Sequence, residues 1–127
     1  MKNKLSAIFA VGIGFLMVSF PIYAHHGTAI FDMEHFVSVK GTVMDFEWTN
    51  PHVYIELELK NDKGIVEKWS AEGGSPQMMA RAGWKRDIVK KGDQITAVGH
   101  PAKDGTKVMH LEKIVFANGQ ELSANVQ

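Results

Sequence analysis

Val53, Ile55, Leu57 and Leu59 alternate with His52, Tyr54, Glu56 and Glu58. A period of two sends the apolar set to one face of a strand and the polar set to the other. Such a strand is half-buried and needs a sheet around it with a core on one side. Val37, Val39, Gly41 and Val43 repeat the pattern against Ser38, Lys40 and Thr42. A chain built on these two segments is a β protein before any other residue is considered.

The punctuation sets the strand order. Trp48-Thr49-Asn50-Pro51 ends the first strand, and Asn61-Asp62-Lys63-Gly64 is a turn with glycine available for positive φ. A third strand follows over residues 65–72. Gly73-Gly74 then breaks the sheet pattern. Ser75 is a good N-cap and Pro76 suits the first helical position, which predicts a short helix ended by Gly83. A turn at Gly92-Asp93 precedes a strand over residues 94–99. Lys103-Asp104-Gly105 closes a hairpin onto the last strand, residues 108–116. Asn118-Gly119 offers one more tight turn. Five short strands with a helix between the third and fourth match a mainly β, five-stranded OB-like barrel. A small open β-sandwich is the alternative.

The first 24 residues follow a different rule. Lys2 and Lys4 precede an apolar run from Leu5 to Phe20, then Pro21, Ile22, Tyr23 and Ala24. A basic start, a short apolar stretch and a small residue at its end describe a secretory signal peptide. The competing reading is a membrane anchor, which needs roughly 20 apolar residues, but Pro21 interrupts the run. The expected organisation is a signal peptide over 1–24, an irregular arm over 25–35 and a single OB-like domain over 36–127. The expected location is the periplasm, with no stable membrane insertion after cleavage. The chain has no Cys, so neither lipid attachment after the apolar run nor disulfides enter.

Cleavage after Ala24 removes two lysines and no acid. The remaining chain carries 12 basic and 14 acidic side chains, a net charge of −2. Such a balance gives no support for nucleic acid as a partner. The one basic cluster, Lys85, Arg86, Lys90 and Lys91, reads as a solvated face.

Several blocks stand out together: His25-His26-Gly27, Gly41-Thr42-Val43, Glu47-Trp48-Thr49-Asn50-Pro51-His52 and Gly73-Gly74-Ser75-Pro76. Gly83-Trp84, Gly92-Asp93 and Ala102-Lys103-Asp104-Gly105 complete the set. In these blocks the chain resembles a family of small secreted proteobacterial proteins of unknown function. The resemblance implies a periplasmic β-barrel domain and no established activity.

Six histidines carry the chemistry open to this chain: His25, His26, His35, His52, His100 and His110. A mature chain starting at His25 would offer a free amine and an imidazole on one residue. Neutral nitrogen ligands suit Cu, Ni and Zn. In a copper histidine brace a distant imidazole supplies the third nitrogen. His52 is the first candidate because it opens a strand on its polar face. His100 ends a strand and comes next, while His26 or His35 could serve locally. Glu47, Trp48, Asn50, His35 and His100 are candidates for a ligand-binding barrel rim. The competing reading of Glu47 to His52 is a structural corner with Trp48 packed on the core. Met33, Met44, Met78, Met79 and Met109 form no Met-x-x-Met cluster and read as core filling. Ser75 stands in a turn that superficially suits a nucleophile, but its capping role explains it better.

The sequence thus points to a non-catalytic exported binding domain, with copper or another divalent metal as the first ligand. A small ligand is compatible with the same rim. The alternative is a protein-interaction domain with incidental histidines, and a copper-dependent oxidase comes third. N-terminal sequencing of the exported protein is expected to begin His-His-Gly-Thr. A chain that starts at Met1, or that stays in the membrane fraction, contradicts the signal-peptide reading.

Overall fold

The computed structural model describes residues 27–126. A short 3-10 helix, Thr28–Ile30, lies in the arm. Then come β1 (Val37–Glu47), β2 (Tyr54–Lys60), β3 (Val66–Glu72), α1 (Pro76–Arg81), β4 (Gln94–Pro101), β5 (Val108–Phe116) and β6 (Glu121–Ser123). No helix among the described residues is long and apolar enough to cross a membrane.

β1 is the longest strand and belongs to two ladders. Its first half, Val37 to Thr42, pairs with β4, and its second half, Thr42 to Glu47, pairs with β2. A register shift between Val43 and Asp45 lies inside the β2 ladder, just past Thr42. One extra residue there bends the strand and increases its twist. Gly41 sits just before that bend, where a Cβ would lie 2.9 Å from the Glu58 carbonyl oxygen. The closing contact is parallel: Ser70, Ala71 and Glu72 of β3 pair with Val108, Met109 and His110 of β5. The strands therefore run β1-β2-β3-β5-β4 and back to β1. This is the closed OB-like barrel, and it excludes the open sandwich. β6 extends the sheet beyond β5 by a short antiparallel pairing at Lys113 to Val115. In the sequence only the Asn118-Gly119 turn before it is legible.

The alternating residues fill the barrel as their period requires. Val43, Ile55, Leu57, Ala71, Ile95, Met109, Leu111 and Ile114 are all buried. α1 closes one end with Met79, which has no exposed surface, and the chain then lays Trp84 beside it. The helix begins where Ser75 Oγ accepts the Met78 N–H. It ends in a paired C-terminal cap: Gly83 N–H donates to Ala80 O and Trp84 N–H to Met79 O. Gly83 has φ +96°, which L side chains rarely adopt. The Trp84 indole N–H donates to Ser123 O at 2.7 Å, so β6 ties this end to the last strand. Met79 and Met109 fill the core as expected, whereas Met33, Met44 and Met78 are exposed, a departure from the core-filling reading. Those three sit on the arm, the bend of β1 and the outer face of α1, where no second layer covers them.

Replacing Ile55 by Ala should cost about 2–5 kcal/mol, because the side chain is fully buried and the barrel is closed around it. Replacing exposed Lys40, on the same sheet, should stay within about 0.5 kcal/mol. Denaturant unfolding of the two variants checks the strand phase, and equal costs would contradict it.

Candidate functional site

Two ladders decide what meets where β1 passes into β2, beside the start of α1. The loop from Trp48 to Val53 joins β1 to β2 and turns through a cis Asn50–Pro51 bond. Val53 is buried and locks the loop onto the end of β3. Its N–H donates to Gly74 O at 2.9 Å, and Gly73 N–H donates to Val53 O at 2.8 Å. The β2–β3 register sets Tyr54 opposite Glu72. His52, two residues earlier, thereby reaches Glu72, and its Nδ1 forms a short ion-pair contact with Glu72 Oε1. A carboxylate only accepts, so Nδ1 carries the hydrogen. The Nε2 of a neutral His52 is then left with its lone pair.

The arm supplies the facing wall. Phe31 is 3% exposed and bridges to Ala102 in an isolated antiparallel contact. Asp32 N–H donates to Pro101 O at 2.8 Å and Lys103 N–H to Ile30 O at 2.9 Å. The Lys103 ammonium donates to Ala29 O at 2.9 Å. His35 Nδ1 contacts Asp32 Oδ2 at 2.8 Å, and that hydrogen bond is the main reason the Asp32 carboxyl sits below its ordinary range. The arm is thus a docked segment with one apolar anchor, not a free tail, over its described length.

Between the walls lies a cleft of about 250 Å³, lined by Gly27, Ile30 and Phe31 on one side and Pro51, His52, Tyr54 and Glu72 on the other. A neighbouring hollow of about 240 Å³ shares His52 and Glu72 and continues to Met78 and His110. The cleft is electronegative. Burial first, then the charges of Glu72, Glu47 and Glu56, push the Tyr54 phenol above its ordinary value. Among the described residues, no group of three or more His, Asp or Glu is arranged to hold a metal by itself.

The sequence candidates divide between places. His52 lines the cleft. Glu47 is exposed at the end of β1, and its charge is felt by Tyr54. Trp48 packs edge-on against Phe46, with ring centres 5.9 Å apart, and Asn50 is exposed. This favours the structural corner for those two. His35 on the arm and His100 behind it lie outside the cleft lining, with His100 Nδ1 2.7 Å from His35 O. His25 and His26 lie outside the described residues. Glu72, Tyr54 and Phe31 were missed. The signal for Glu72 was weak: an acid at the last position of a strand, just before Gly73-Gly74.

Replacing Glu72 by Gln should lower the pH at which Tyr54 ionises, since a negative charge beside the phenol is removed. The chain has two tyrosines, and in a chain beginning at His25 Tyr54 is the only one. Its phenolate absorbance therefore reads the change directly. Because folding raises the Tyr54 value, the unfolded chain loses the proton first. Stability should fall as pH rises above about 10.

No curated protein matches the chain. The model of a protein family described as a family of unknown function, DUF6152, matches residues 14–110. That span runs from the apolar segment through the arm, His52 and Glu72 to the start of β5. With most of its length matched, including every residue that lines the cleft, the chain belongs to the DUF6152 family of unknown function.

Proposed function

We propose that this protein is an exported, non-catalytic binding domain that takes copper or another divalent cation at the His52 cleft. The ligands are His25 and His26, with the His52 imidazole as the distant nitrogen. One observation carries the reading: Gly27 lines the cleft together with His52. His25 and His26 directly precede Gly27 in the sequence.

Three further facts agree. His52 gives its Nδ1 hydrogen to Glu72, the carboxylate–imidazole arrangement that orients metal-binding histidines and leaves Nε2 for the ion. Glu47, Glu56 and Glu72 make the surroundings favourable to positive charge. Tyr54 and Phe31 give the cleft apolar walls that limit water. Export enters because processing after Ala24 creates the free amine at His25, which completes a chelate on one residue. The apolar side chains exposed on the arm, Ile30 and Met33, and at its junction with β1, Phe36, favour a second reading, in which this face docks a protein partner.

Copper(II) titrated into protein beginning at His25 should bind with one-to-one stoichiometry, followed by its visible absorbance. Affinity should weaken as pH falls, because protons compete for the nitrogens. Adding one residue before His25, or replacing His52 by Ala, should weaken binding by about 10–100-fold or more. Equal binding by all three proteins overturns the metal reading and leaves the docking one.

A further inference from the structure

Met78 and Met79 are neighbours on α1, and the helix sends them opposite ways. Met79 is fully buried at the barrel end, whereas Met78 is 54% exposed. The Met78 side chain lies back over Gly74. A Cβ built on Gly74 would sit 3.4 Å from Met78 Cβ and 3.7 Å from its Sδ. Helical side chains lean toward the helix N-terminus in this way. For α1 that direction leads to the β1–β2 loop, since Gly74 O accepts the Val53 N–H at 2.9 Å.

Met78 thereby lines the hollow of about 240 Å³ beside the cleft, together with His52, Glu72 and His110. Methionine is unbranched and flexible, so its sulfur adapts its reach at little cost. Met78 is outside the apolar core cluster. Its sulfur can therefore turn toward an occupant of the hollow without disturbing the barrel.

The ligands that meet here differ in kind. His52 keeps its Nδ1 hydrogen on Glu72 and presents the Nε2 lone pair. Imidazole accommodates several transition metals, so it does not choose among them. A thioether sulfur is soft and uncharged, and Cu(I) is the ion it favours. Among the described residues no group of three His, Asp or Glu forms a closed site. Cu(I) accepts few ligands and does not require one.

We propose that the His52 hollow holds copper as Cu(I), with Met78 Sδ and His52 Nε2 as its ligands from the barrel. This rests on the copper reading above and narrows it. The same imidazole serves either oxidation state, and the thioether strengthens the hold on the reduced one alone. Met78 is thus the residue that sets the preference of the site for Cu(I) over Cu(II).

The test uses protein beginning at His25. Cu(I) affinity is measured without oxygen by competition with bicinchoninate, and Cu(II) affinity by the titration above. Met78→Leu should weaken Cu(I) binding at least about tenfold and leave Cu(II) binding within about threefold. His52→Ala should weaken both. Met44→Leu, on another face of the barrel, should change neither. X-ray absorption of the Cu(I)-loaded protein should show a sulfur neighbour that Met78→Leu removes. If Cu(II) binds as expected but Cu(I) affinity and the sulfur neighbour survive Met78→Leu, the Met78 ligand is overturned and the copper reading stands. If Cu(II) binding ignores His52 while Cu(I) binding depends on Met78 and His52, the cupric site falls and the cuprous one stands. A protein with no measurable affinity for Cu(I) overturns the proposal outright.

Discussion

Three parallel residue pairs, Ser70–Val108, Ala71–Met109 and Glu72–His110, turn a sheet into a barrel. Every other feature depends on them. Without closure β3 and β5 would be open edges, and the apolar face of β2 would have no far wall to pack against. With closure, the ends of β3 and β5 come side by side. That puts Glu72, which orients His52, next to His110, which stacks on His100. One pairing thus sets the cleft and the arm's contact with His100 at the same rim.

The parts of this structure that the sequence made legible are those with local periodicity or local capping. The alternation at Val53 to Leu59 placed β2 within a residue, and Ser75, Pro76 and Gly83 placed α1. β6 was invisible because three residues carry no period, and the strand exists only by pairing with Lys113 to Val115. The length of β1 was legible from the alternation that starts at Val37 and the Trp48-Thr49-Asn50-Pro51 break that ends it, whereas the shift between Val43 and Asp45 has no local signal. His52 stood out because it heads a clean strand. Its partner Glu72 did not, because 20 positions separate them in sequence and only the β2–β3 register joins them.

The arm was read as irregular, and by backbone pattern it is nearly so. Its order comes from elsewhere. One buried phenyl ring at Phe31, backbone bonds to Pro101 and Lys103, and the His100 contact hold it to the barrel. None of these has a signature in a stretch such as Gly27-Thr28-Ala29-Ile30-Phe31. They are contacts across more than 60 positions, visible only once β4 and β5 are in place.

A cleft with one wall on the barrel and the other on a docked segment behaves differently from a hole in a rigid body. Whatever enters it touches Ile30 and Phe31 as well as Pro51 and Tyr54, and so bridges two parts that are otherwise held by a few bonds. The free energy by which an occupant strengthens arm docking equals the free energy by which docking strengthens the occupant. If the arm is docked for only a fraction of the time, observed affinity falls by that same fraction. Selection can then tune how tightly this site holds its occupant by substituting residues of the arm seam, with no change to any group that the occupant meets.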